Sequence, residues 1–590
     1  MSTEYSEEDR IPLQDQWYLA LDLGTGLSAC LLNRNTQKLY PIFWKAKTTL
    51  LSDREEIPGD REVTFRLPSQ VNDQKKPNGL GEFKNFISYL NIAIPYIRIS
   101  QDSASEVSQV PVPLIQLSDN QTVFLGKFQR ALQLLLSTLT PYPQKQFKGL
   151  ILPQFYTAEA VGLDLKTLHW AMQRLAGVIV GFPSVATEAY RFNIEKAIVD
   201  ANLVKRPEQV FWLENAIAIF LDQFRDGETI SMSGEGVLAI DAGATTTEIA
   251  LVEVSDHIDN LQNSDFFCHS WAYGGDALDL DIICQLLLNS PTGKRLQSQM
   301  FGDEDLIWPV AGSPDLQLRY RLRQRLQSQP LGVALLDAAK SVKIVLPQQQ
   351  QYTLEVEGYT WELNFSDLER LVLAPFIHGL NGQLNHTLAI AGISSIGINQ
   401  AFCVGGNGGW TALNRWLRQK LPNAVISQND STNDGVDSRS KSHLQVAMGL
   451  ASLPLYPQVL DRSRHQYRDS FLLKELLNCF DGRSLSVDGV MQVLESRGIN
   501  TRSCQKRILS ILKDQFPLGL VPQDPEMVLI HPASRQTPDY QNLCDGKLFV
   551  EDEDHLYHLN LERADVVRQY LNQLFSGYLQ SLEEPAVTLL

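Results

Sequence analysis

The chain of 590 residues (66.3 kDa) is 44% apolar, 20% charged and 9% aromatic, a balance that excludes a fibre or a wholly disordered chain. Its length exceeds what one hydrophobic core ordinarily holds, so two or more units of about 100–250 residues are expected. With 68 Asp and Glu against 51 Lys and Arg the formal net charge is −17, which opposes nonspecific attraction to nucleic acid or an anionic membrane.

The N-terminus, MSTEYSEEDR, is acidic where an export signal needs positive charge, and residues 1–16 read as a disordered tail. Seven dispersed cysteines (Cys30, Cys268, Cys284, Cys403, Cys479, Cys504, Cys544) contain no C-x-x-C pair, so a disulfide framework and a structural zinc site are not expected. The longest uncharged stretch, Leu371 to Asn414, is broken by Pro375, His378 and repeated glycines, which leaves no membrane span. A cytoplasmic location follows as the expectation.

Two segments share one layout. Trp17-Tyr-Leu-Ala-Leu-Asp22-Leu-Gly24-Thr25-Gly26 continues into the apolar run Leu27–Leu32, and Gly236-Val-Leu-Ala-Ile-Asp241-Ala-Gly243-Ala244-Thr245-Thr246-Thr247-Glu248 continues into Ile249–Val252. Each reads as a β-hairpin: an apolar strand, an Asp-x-Gly break with small or hydroxyl residues, and a second apolar strand. Glycine and small residues let backbone N–H groups approach phosphate oxygens, and an Asp at a strand end can hold a hydrated Mg²⁺. Two such turns could grip one nucleotide from both sides. No G-x-x-x-x-G-K-[ST] surrounds Lys127, Lys294 or Lys547, so a P-loop is excluded. Gly24-x-Gly26-x-x-Ala29 imitates a dinucleotide fingerprint but runs into the turn signal Asn33-Arg-Asn-Thr36 instead of opening a helix.

Further along, Phe402-Cys-Val-Gly405-Gly406-Asn407-Gly408-Gly409-Trp410 reads as a strand and a glycine cluster before an amphipathic helix, a place where backbone can lie flat against a base or ribose. Gln428 to Ser442 is polar and turn-rich, and reads as a solvated loop. From Tyr456 onward the pattern is helical. Helices are expected around Phe471–Leu477, after an N-cap at Ser486, after an N-cap at Thr501, and over Val566–Leu582. Lys547–Val550 and Leu556–Leu559 flank Glu551–Asp554 as a strand, turn and strand, so the module is winged-helix-like. Its third helix carries Arg502, Lys506 and Arg507, read as a solvated face with no nucleic-acid role, because the acidic hairpin tip repels phosphate.

Two Asp-x-Gly hairpins followed by this glycine turn, in that order, resemble the actin-fold ATPases, and within them the DnaK-type 70-kilodalton heat-shock chaperones. The stretch Gly177-Val-Ile-Val-Gly-Phe-Pro183-Ser-Val-Ala-Thr-Glu-Ala-Tyr-Arg191, then Phe211-Trp-Leu-Glu214-Asn-Ala, is similar to the chaperones' strand, proline, arginine, helix and glutamate series. The resemblance spans about Trp17 to Ser452 and implies a duplicated actin-like (ribonuclease-H-like) α/β ATPase fold in two lobes over residues 17–452. A helical module over 456–590 replaces the client-binding domain, whose linker and opening strand are absent.

On that resemblance Asp22 and Asp241 hold a hydrated Mg²⁺ and orient the attacking water, Glu214 stands near the metal, and Pro183 and Arg191 match a switch proline and a relay arginine. Arg66-Leu-Pro68-Ser69-Gln-Val71 resembles a Thr-Pro-Ser-x-Val segment, and Phe83-Lys84-Asn resembles the segment that carries the catalytic lysine, which makes Lys84 the candidate. Thr246 and Glu248 keep the chemistry of the family's Thr and Asp. Trp271-Ala-Tyr-Gly274-Gly275-Asp276 is similar to a turn that approaches the phosphates, and Lys343 matches a ribose-binding lysine. Gly24, Thr25, Gly26, Gly243 and Thr245 would line the phosphates, with Gly405, Gly406, Asn407, Gly408 and Gly409 at the adenosine. There are departures: Lys340 stands in place of Glu, Ile344 in place of a base-stacking Arg, and Ala244 and Thr245 in place of glycines. The resemblance therefore implies an ATP/ADP-binding, chaperone-like protein with slow Mg²⁺-dependent hydrolysis and a protein partner or client on residues 456–590. The alternative is a non-hydrolysing ATP-sensing scaffold.

Overall fold

The computed structural model describes residues 15–47, 63–74, 81–101, 107–142, 146–225, 235–254, 260–302, 307–428, 435–522, 527–575 and 580. Most of the expected N-terminal tail, 1–14, lies outside the described residues. Its last two residues are engaged: Asp15 Oδ2 accepts from Asn33 Nδ2 at 2.9 Å, and the Gln16 carbonyl accepts from the Arg34 amide at 2.9 Å. Among the described residues no helix is long and apolar enough to cross a membrane.

The chain is mixed α/β, built on two sheets of the same design. In the first, strand Trp17–Leu23 forms a hairpin with Gly26–Asn33, which pairs in turn with Lys38–Lys47; on its other side lie Leu175–Phe182 and Val210–Glu214, both parallel. In the second, Glu235–Ala242 forms a hairpin with Thr247–Val254, followed by Phe266–Trp271, with Ile398–Val404 and Val425–Gln428 parallel on the other side. The first sheet adds Phe155–Ala160 beside Lys38–Lys47 and two short strands that the second sheet lacks, while the five strands given for each match in order and direction. The near-continuous apolar runs of the central strands explain this, because a strand covered on both faces has no polar side to offer solvent.

Between the two sheets lie helices Asn215–Arg225 and Gly435–Ser452. Ala218, Ile219, Ala447 and Leu450 join Tyr18, Ala20 and Ile179 of the first sheet and Val237, Ala239 and Phe402 of the second in one core. The apolar first helix and the apolar second half of the other must be enclosed, and together they fill the middle layer. They cross at Gly449, where an added Cβ would stand 1.7 Å from the Ala218 carbonyl oxygen. The loop expected over Gln428–Ser442 is accordingly shorter. Helix begins at Gly435, since a polar first half is carried by the apolar turns that follow, and 429–434 lie outside the described residues.

The C-terminal region contains helices Asp469–Leu477, Val487–Ser496, Thr501–Leu512 and Leu561–Leu574, with strands Phe549–Glu551 and Tyr557–Leu559. Leu485 exchanges two backbone hydrogen bonds with Tyr557. Ser486 caps its helix by accepting from the Gly489 amide, as expected. The next N-cap is Asn500, not Thr501, whose hydroxyl instead donates to Glu495 Oε1 at 2.6 Å. The last helix runs earlier than expected, to Leu574, and 576–579 and 581–590 lie outside the described residues. Arg507 is consumed within the module by the Tyr467 and Ser463 carbonyls and Asp469, which leaves Arg502 and Lys506 exposed.

This region is docked on the first sheet's lobe. The Glu188 amide donates to the Leu518 carbonyl, Arg468 pairs with Glu195 at 3.3 Å, and Phe192 meets Phe575 edge-on. Residues 527–531 run beside strand Leu114–Ser118, with Gln116 N–H donating to the Leu529 carbonyl and His531 N–H to that of Leu114. Gln324, on helix Leu316–Gln327 of the second lobe, donates to the Gln116 carbonyl at 2.8 Å, so the three parts meet at one point.

Two predictions follow from this packing. Gly449→Ala should cost about 2 kcal/mol or more in urea unfolding, because backbone must move to admit the methyl. The second concerns Glu195, pushed up to about 7 by burial, with Glu188 and Glu208 adding to the rise and Arg468 and Arg191 opposing it. Glu188 is raised too, by burial and Asp469. A carboxyl whose folded value exceeds its unfolded value stabilises below that range and loses its contribution as pH rises through it. Relative to wild type, Glu195→Gln should therefore gain stability between pH 5 and 8, read as the shift in urea midpoint.

Candidate functional site

The first hairpin turns through Gly24 and Thr25, closed by the Gly24 amide on the Gly26 carbonyl at 2.9 Å. A second segment lies against it. Leu67 and Pro68 pair with Leu27 and Gly26, the Ser69 amide and hydroxyl both donate to the Thr25 carbonyl, and Arg66 Nη2 donates to Thr25 Oγ1 at 3.0 Å. Gly26 has no alternative, since a Cβ would stand 2.8 Å from Arg66 Cγ and from the Leu67 carbonyl oxygen. Lys84 is on the adjoining strand Glu82–Lys84, but its side chain is 55% exposed and its ammonium pairs with Glu82 at 3.1 Å. The structure gives it no contact with either hairpin turn.

The second turn is tied to three other elements. Gly243 N–H donates to the Thr246 carbonyl at 3.0 Å; at the start of helix Gly275–Ile282, the Gly275 and Asp276 amides donate to the Gly243 and Ala244 carbonyls at 3.0 and 2.7 Å. Gly274 approaches so closely that a Cβ would sit 2.6 Å from the Ala244 oxygen. Asn407 Nδ2 donates to the Gly243 carbonyl at 2.9 Å. Gly405 adopts a left-handed φ of +86°, with a would-be Cβ 2.5 Å from the Ala242 oxygen and 2.6 Å from Asp241 Oδ1. Gly408 closes the turn by donating to the Gly405 carbonyl, while Gly406 is exposed and Gly409 half-buried before helix Thr411–Lys420. Lys343 Nζ reaches the Gly275 carbonyl at 2.9 Å and pairs with Asp279 at 2.7 Å. Thr245 is exposed and lines a cavity of about 80 Å³ with Asp276 and Arg323, Ser88 and Tyr89 of the first lobe, and Leu529.

The carboxylates of the two hairpins come within reach of each other's charge. Burial raises Asp22, and Asp241 is pushed up to about 7 by burial and by Asp22, while Arg66 draws both back down. Glu248, opposite Asp241 in the hairpin register, is raised further by burial and by Asp241. Its Oε1 accepts from the Ser184 amide of the other lobe at 2.9 Å, and its buried Oε2 lies beside Ser270 with no donor at normal hydrogen-bond length. The Tyr190 hydroxyl donates to the Leu23 carbonyl at 3.3 Å, and burial with the Asp22 and Glu248 charges raises it. Glu214 is raised by burial and sits within range of both Glu248 and Arg191. The Arg191 guanidinium is packed on Phe182 at 4.2 Å and on Trp212 at 5.7 Å, past Pro183 at the strand end, and faces the cavity that Arg468 and Asp469 share.

Among the described residues no three His, Cys, Asp or Glu side chains form a metal site. Two paired carboxylates instead suit a divalent cation held through its waters and completed by ligand oxygens. The sequence marks the segment Arg66-Leu-Pro68-Ser69 by resemblance without giving Arg66 or Ser69 a role, and it carries no signal for Tyr190. No protein-family model matches the chain, and no curated protein matches it.

Gly405→Ala should force the turn off its left-handed geometry and press on Asp241. We expect a loss of about 1–3 kcal/mol in urea unfolding. Gly406→Ala, with open space around its position, should stay within about 0.5 kcal/mol of wild type.

Proposed function

We propose that this chain is an ATP-binding, chaperone-like protein of the actin-like, DnaK-related kind, which hydrolyses ATP slowly with Mg²⁺ and couples lobe closure to a protein partner or client. One observation carries the reading. Two Asp-x-Gly turns, on two sheets that share five strands in the same order, bring Asp22 within range of raising Asp241. Unrelieved, that pair is costly, and a cation with its anionic ligand relieves it.

Asp22 and Asp241 would hold the waters of Mg²⁺ from opposite lobes, with Thr25 and Thr246 at the two turns. Bound Mg²⁺ supplies charge neutralisation to the phosphates. Glu248, the register partner of Asp241, adds a third carboxyl to this group, and its buried Oε2 has no hydrogen-bond partner of its own. Lys343 and the turn Gly405–Gly409 would border the nucleoside. Slow turnover fits the second loop: Ala244 and Thr245 restrict backbone approach, and the Gly275 and Asp276 amides already serve the loop's own carbonyls. The same engaged amides favour the second reading, an ATP-sensing scaffold that does not hydrolyse.

Coupling has a route. From Asp241 the charges run through Glu248 and Glu214 to Arg191, and then to the cavity where Arg464, Arg468 and Asp469 enter from the C-terminal region, read as a winged-helix-like docking module. Saturating ATP with Mg²⁺ should raise the melting temperature, and by less without Mg²⁺, since a ligand at 100 times its Kd adds about 2.7 kcal/mol. Asp241→Asn should remove the Mg²⁺-dependent part. Single-turnover hydrolysis above background separates the ATPase from the scaffold, and no thermal shift at saturating ATP would sink both.

A further inference from the structure

We infer that Arg66, and not Lys84, is the cation that meets the terminal phosphate of the nucleotide, an inference that rests on the nucleotide reading above. Arg66 is half-buried and reaches the site from the segment that crosses the first hairpin. Its stem is fixed under Gly26, where no side chain would fit, and its Nη2 is anchored on Thr25 Oγ1. A Cβ on Gly24 would stand 3.3 Å from the same Nη2, so the guanidinium covers the turn itself. Among the described residues no carboxylate lies within 4 Å of it to form an ion pair. It stands instead against the turn that follows Asp22, with its Nη2 on Thr25 and beside Gly24.

The remaining N–H groups of such an anchored fork match the oxygens of a phosphoryl group, which a lysine's point charge does not do bidentately. Phosphoryl transfer spreads charge over the equatorial oxygens, and a fixed guanidinium there stabilises that charge without reorganising. Lys84 is poorly placed for the same work, because its ammonium is already paired with Glu82 and faces solvent. The chemistry thus assigns Arg66 to the phosphate present in ATP and missing in ADP.

Calorimetric titration of the full-length chain with ATP and with ADP, in Mg²⁺, tests this on wild type, Arg66→Ala and Arg66→Lys. Loss of one charge-assisted bond should weaken ATP about tenfold or more and ADP less than about threefold, with Arg66→Lys between. Arg66→Ala that weakens both nucleotides equally, or leaves the ATP-to-ADP ratio unchanged, overturns the inference, because a merely structural arginine would do that. A ratio that falls with Lys84→Ala instead overturns it too. Should Arg66→Ala not fold, Arg66→Lys decides: a lowered ratio supports the inference and an unchanged one rejects it. Wild type that binds neither nucleotide is a different failure, since it removes the nucleotide reading and this assignment together.

Discussion

The backbone crossing of Gly449 over Ala218 sets the distance between the two sheets. Two sheets each presenting an Asp-x-Gly turn are of no use to each other unless something fixes their separation, and helices Asn215–Arg225 and Gly435–Ser452 do so from the middle layer. Because Gly449 admits backbone against backbone, the helices approach more closely than side chains would allow. The separation of the two hairpin turns, and so the repulsion between Asp22 and Asp241, is a consequence of that packing. The core that joins the two sheets and the charge at their hairpin turns are therefore one problem.

That charge is unusual for its sign. Asp22, Asp241, Glu248 and Glu214 are all raised by burial, with Asp22 adding to the rise of Asp241, and Asp241 and Glu214 to that of Glu248. Stability alone would favour apolar or amide side chains here, as burying unpaired charge is expensive. The cluster makes physical sense as a site that lowers its energy on meeting positive charge. Arg66 supplies one unit of it from within the chain.

Much of this was legible in the sequence, for local reasons. Each hairpin is announced by apolar strands around Asp-x-Gly, and the turn after Val404 by a glycine run in which Gly405 takes a left-handed φ and Gly408 leaves no room for a Cβ. Ser486 caps as its chemistry predicts, whereas Asn500 and Thr501 are both good caps in succession and composition does not rank them. Gly435–Ser442 looks like loop because its residues are polar; the apolar turns that follow extend the helix back through them. Arg66 acts on Thr25 from forty-one residues away, a relation that no local pattern carries. Lys84 has a local reason after all: two residues apart on a strand, Glu82 and Lys84 share a face and meet there.

The C-terminal region could have been an appendage, but its contacts make it part of the site's mechanics. Arg468 holds Glu195 on helix Glu188–Asp200, and the same helix carries Tyr190 toward Asp22 and Arg191 toward Glu214. A shift of that helix by even a fraction of an ångström would change the hydroxyl at Leu23 and the charge balance at Glu214 together. On the other edge, Leu529 lines the cavity beside Thr245, and Gln324 ties the second lobe to the strand that residues 527–531 flank. The C-terminal region therefore touches the surroundings of both hairpin turns, through one helix and one flanking segment.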